Sequence, residues 1–82
     1  MLGQDVGSMF AFDKSVRNEQ QTRRYSILTT EAGWEVREER DSEVVRQVHY
    51  QDWHRVERAR RSIAIELDQL ERSGWSEIKT TN

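Results

Sequence analysis

The stretch that decides the fold is residues 25–50, YSILTTEAGWEVREERDSEVVRQVHY. Tyr25, Ile27 and Thr29 alternate with Ser26 and Leu28. Trp34, Val36 and Glu38 alternate with Glu35, Arg37 and Glu39. Val44, Arg46, Val48 and Tyr50 alternate with Val45, Gln47 and His49. A period of two among β-branched and aromatic residues marks half-buried strands. The links between the runs are short. Thr30-Glu31-Ala32-Gly33 supplies a glycine able to take positive φ, and Arg40-Asp41-Ser42 is a polar turn. Short links make neighbouring strands antiparallel, so the stretch predicts a three-stranded meander. Matching the inward sets places Ile27 opposite Val36 and Thr29 opposite Trp34. In the second hairpin it places Trp34 opposite Val48 and Val36 opposite Arg46. Arg46 is then the one inward residue out of character. Either its stem lies along Trp34 with its head toward Glu38, or a bulge at Val44-Val45 resolves the conflict.

Downstream the period changes from two to 3.6. Val56, Ala59, Ile63, Leu67 and Leu70 recur on one helical stripe, predicting a helix over residues 53–73. Asp52 suits the N-cap, because its carboxylate can accept from first-turn N–H groups. Gly74 suits the left-handed position beyond the helix, with Trp75 folding back onto Leu70 in a Schellman motif. Glu57–Arg61 and Asp68–Arg72 are favourably ordered i,i+4 pairs. The broader charge order opposes the helix dipole. Arg55, Arg58, Arg60 and Arg61 occupy the first half, and Glu66, Asp68 and Glu71 the second.

Upstream, residues 1–23 read as a mostly flexible tail with a possible short element at 9–16. Residues 17–24 form a polar run with nothing to bury. Met9-Phe10-Ala11-Phe12 and Val16 tuck onto the domain as a short strand or turn of helix, serve as a linear motif that binds a partner within or between molecules, or are disordered. The fold expected is therefore α+β: a βββα domain over residues 24–78, its three-stranded antiparallel meander packed on one C-terminal α-helix. Residues 79–82 should fray.

Composition narrows the function. The 82 residues suffice for one small domain with a thin core. The chain lacks cysteine, which excludes thiolate chemistry and disulfides and points to a reducing, cytoplasmic setting. No apolar run is long enough to span a bilayer, and the start of the chain lacks a signal-peptide pattern. A net charge of −2 with 34% charged residues argues against a general nucleic-acid binder. All thirteen basic residues except Lys14 and Lys79 are arginine.

Each candidate for chemistry has a plainer counterpart. His49 and His54 flank Asp52, but they should point apart, and no second cluster supports a metal site. Glu35, Glu38 and Glu39 are clustered carboxylates without an enclosing pocket, so no enzyme is expected. Neither cofactor nor metal is expected. Ile65 lies opposite the apolar stripe among charges, and Leu28 and Val45 fall on the outer sheet face. These three are the expected partner contacts, and the partner expected is a protein or a second copy. The alternative is a nucleic-acid-binding module holding phosphates with Arg37, Arg58 and Arg61. Gly33-Trp34-Glu35-Val36-Arg37 as central strand, with a closing helix, resembles in topology the meander-plus-helix DNA-binding modules of plants and of some integrase arms. That resemblance covers Arg24 to Leu70. It implies readout by a basic sheet face, where this chain mixes Arg37 with Glu35 and Glu39.

Overall fold

The computed structural model describes residues 9–79. The expectations for residues 1–8 and 80–82 lie outside them. The order of elements is β1 (Met9–Arg17), β2 (Thr22–Thr30), β3 (Gly33–Arg40), β4 (Glu43–Tyr50), α1 (Trp53–Arg72) and β5 (Ser76–Ile78). They form one antiparallel sheet in the order β4-β3-β2-β1-β5, with α1 crossing one face. The class is α+β as expected, but the meander has four strands rather than three, and a short fifth strand follows the helix.

The added strand is β1, which the polar run 17–24 had disguised as tail. The middle of that run, residues 18–21, is a hairpin loop, and its ends belong to β1 and β2. Asn18 Oδ1 accepts from the backbone N–H groups of Gln20 at 2.8 Å and Gln21 at 2.7 Å. Such an Asx turn reverses the chain without any apolar residue. It brings Val16, fully buried, beside Arg23 of β2. Lys14 is directed to the helix side next to Tyr25. Its ammonium reaches out to Glu71 at 3.3 Å and Glu77 at 3.7 Å, so a charged residue fits an inward position. Gly74 then turns the chain so that Ser76–Ile78 pairs with residues 15–17 of β1.

The β2–β3 register is the expected one, with Ile27 opposite Val36 and Thr29 opposite Trp34. The β3–β4 register is shifted by two residues. Trp34 faces Tyr50, Val36 faces Val48, and Glu38 faces Arg46. The shift keeps every side chain on its face and sets apolar residues opposite each other, with Arg46 across from Glu38 but without an ion pair closed between them. It leaves room for the bulge, since Glu39 pairs with Val44 and Val45 has no Cα partner on β3. Residues 41 and 42 form the connecting turn with φ values of 52° and 70°, both left-handed, as a type I′ hairpin needs. Asp41 fits there because its carboxylate accepts from Thr22 N–H at 2.9 Å, tying the turn to β2.

The helix matches its sequence signals. Asp52 accepts from His54 N–H at 3.0 Å, and Val56, Ile63 and Leu67 are buried. Its end is a full Schellman motif, with Trp75 N–H donating to Leu70 C=O at 3.0 Å and Gly74 N–H to Glu71 C=O at 3.2 Å. Asp68–Arg72 forms at 2.9 Å, whereas no Glu57–Arg61 ion pair does. Val16, Tyr25, Ile63 and Leu67 make the core, with Phe12, Val36, Leu70 and Trp75 packed against it.

Candidate functional site

The apolar core lies under the C-terminal half of α1, across β1 and β2. Toward β3 and β4 the filling is thinner, because the helix offers Ala59 and Ser62 there and β4 offers Arg46. The consequence is an open cleft of about 400 Å³ between helix and sheet. Its apolar lining includes Val36, Val48, Tyr50 and Ile63, and Arg46, Arg55 and Arg58 are exposed residues of the same lining.

The acids of the cleft are already engaged. Glu38, nearly buried, accepts from Arg40 Nε at 3.0 Å. Glu66 accepts from Tyr25 Oη at 2.8 Å and pairs with Arg23 at 3.7 Å. Burial pushes the Tyr25 phenol up to about 12. Arg23 opposes this shift, and the Glu66 and Glu38 carboxylates reinforce it. By contrast, Arg46, Arg55 and Arg58 make no ion pair or side-chain hydrogen bond among the described residues.

The opposite sheet face is self-neutralised. Arg24 bonds Asp13 through Nε at 2.9 Å and Nη2 at 3.0 Å, and its Nη1 lies 4.0 Å from Glu39. Arg37 is held by Glu35 through its Nε at 3.1 Å and its Nη2 at 2.6 Å. Ser26 is buried beneath this layer. A sheet face of paired charges is unlike the basic surface that the DNA-binding resemblance implied.

The structure disperses the residues singled out in the sequence. Arg58 lines the cleft. Arg37 also borders the cleft, but its guanidinium is held by Glu35, and Arg61, nearly one turn on from Arg58, is exposed and outside that lining. Ile65 is 61% exposed on the helix, and Leu28 is half-buried beside Glu35 in the sheet, so the two belong to opposite sides of the molecule. Val45 sits in the β4 bulge at the sheet edge, 51% exposed next to Val44 at 46%. Arg46 and Arg55 were not among the expected site residues. Their available signals were the discordant inward position of Arg46 and the cationic first half of the helix. Among the described residues no group of three or more His, Cys, Asp or Glu side chains is placed to hold a metal ion, and no helix is long and apolar enough to cross a membrane.

Comparison of the chain with protein-family models, with curated proteins and with solved structures yields no match. The geometry of the molecule therefore carries the functional argument.

Proposed function

We propose that this domain is a non-enzymatic protein-interaction module that self-associates by pairing β4 with β4 of a second copy. The observation that carries the reading is the β4 edge. Among the described residues β4 pairs only with β3, so the other side of this eight-residue strand presents unpaired backbone groups there. The far edge is better protected. It has a register break between Phe10 and Phe12, the charges of Asp13 and Lys14, and β5 covering residues 15–17. On β4 the bulge interrupts the first residues, while 46–50 run regularly and carry neither proline nor lysine.

This short segment is self-complementary. Antiparallel pairing about Val48 sets Val48 opposite its copy, Arg46 opposite Tyr50, and Gln47 opposite His49. No like charges meet, and the contact is isologous, as a two-fold dimer requires. The lack of cysteine supports a cytoplasmic setting for such a module. Sedimentation equilibrium at tens of micromolar tests the reading. Wild type should be dimeric, and Gln47→Lys should be monomeric yet fold cooperatively, melting as wild type does when diluted below its dissociation range, since residue 47 is exposed. A monomeric wild type overturns self-association. Dissociation by Ile65→Glu with Gln47→Lys still dimeric overturns the β4 contact and moves it to the helix.

A further inference from the structure

We propose that the cleft between α1 and the β3–β4 hairpin binds a small organic anion: a flat apolar body bearing one carboxylate or phosphate. The proposal does not require self-association, because one copy supplies the whole lining.

Three independent observations lead to it. The first is shape and chemistry. A concavity of about 400 Å³ lies within the size range of small-ligand sites, and its lining sets the apolar side chains of Val36, Val48 and Ile63 beside charged ones. The second is uncompensated charge. Glu38 and Glu66 have their own partners, while Arg46, Arg55 and Arg58 have none among the described residues, in a chain whose net charge is −2. Guanidinium groups suit planar anions, since one group can donate two parallel hydrogen bonds to a carboxylate or phosphate. The third is the helix itself. Its first turn holds no acid and carries Arg55 at the positive end of the macrodipole, with Arg58 on the following turn. That arrangement opposes helix stability, and an anion seated between those arginines and Arg46 relieves it.

The geometry also sets the ligand's form. Tyr50 and Val48 continue the apolar surface toward β4, and Val36 and Ile63 continue it toward the core, so the body must be slim enough to lie between helix and sheet. The Ser62 hydroxyl lines the same space and can accept or donate a further hydrogen bond. An inorganic ion alone would use the arginines and leave the apolar side chains wet.

Titration of the isotope-labelled full chain with 2-naphthoate, followed by amide and methyl resonances, is the test. Val48, Tyr50, Arg58 and Ser62 should shift saturably. The isosteric neutral 2-naphthamide should bind about tenfold more weakly, as loss of a charge-assisted hydrogen bond implies. Phenyl phosphate should bind at the same resonances, and inorganic phosphate should bind more weakly than either aromatic anion. Arg55→Gln and Arg58→Gln should each weaken naphthoate about fivefold or more, and Arg61→Gln should leave it unchanged. Equal affinity for the amide, shifts confined to the outer sheet face, or an absence of saturable shifts would each overturn the site.

Discussion

At the scale of single residues, two glycines do the same kind of work for different reasons. Gly33 has φ +140°, and a Cβ there would run into the carbonyl oxygen of Tyr50 at the corner where β4 turns into the helix. Gly74 has φ +106° with open space around it. Gly33→Ala should therefore cost about 2–4 kcal/mol, combining strain with a backbone clash. Gly74→Ala should cost about 1–2 kcal/mol through strain alone. Denaturant melting of both variants checks the order, and equal losses would contradict it. Tyr25 gives a pH signature. Its folded pKa of about 12 lies above the ordinary tyrosine value near 10, so the folded state holds the proton more tightly. The stabilisation is fully present below pH ~10 and is lost as pH rises toward 12. Wild type should thus lose about 1–2 kcal/mol more than Tyr25→Phe between pH ~9 and pH ~12. Parallel melting curves for the two proteins across that range would show that the phenol is not the group responsible.

At the scale of elements, the legible parts are those whose signals are local. β2, β3 and α1 declare themselves by period, and Asp52, Gly74 and Trp75 mark the helix ends in the sequence alone. β1 was concealed because its loop is wholly polar and because Lys14 occupies an inward position, which breaks the alternation of Phe12 and Val16. β5 is three residues long and gains meaning only from β1 beside it. The two-residue shift in the β3–β4 register follows from the type I′ turn and the bulge; the discordant Arg46 hints at a bulge at Val44-Val45, but periodicity does not encode the turn type that sets the register. The cleft was invisible for a related reason. It exists where Ala59 and Ser62 face Arg46 across space, a juxtaposition that the order of residues does not reveal. The helix end remains the most testable element. Trp75 is half-buried against the core with the Arg23 guanidinium 4.9 Å from its ring centre. Trp75→Ala should cost about 2–3 kcal/mol, less than for a fully buried indole. Melting within about 0.5 kcal/mol of wild type would place the indole outside the cooperative core.

At the scale of the whole molecule, the form follows from covering one sheet face only. The radius of gyration is 13.7 Å, against about 12 Å for a compact chain of this length. The core is correspondingly thin, with Val16, Tyr25, Ile27, Val56, Ile63 and Leu67 as its buried apolar residues. A thin slab closed at one edge by β5 and open at the other along β4 gains stability when a second sheet edge joins it. The proposed self-association would then be continuous with the fold, with the proposed ligand cleft at the same margin of the sheet. Amide hydrogen exchange measured at low and high protein concentration tests this most directly. The account predicts that protection of outward-pointing amides in residues 46–50 rises with concentration while the amides around Ile65 do not change. Concentration-independent protection along β4, or a rise confined to the helix, would contradict it.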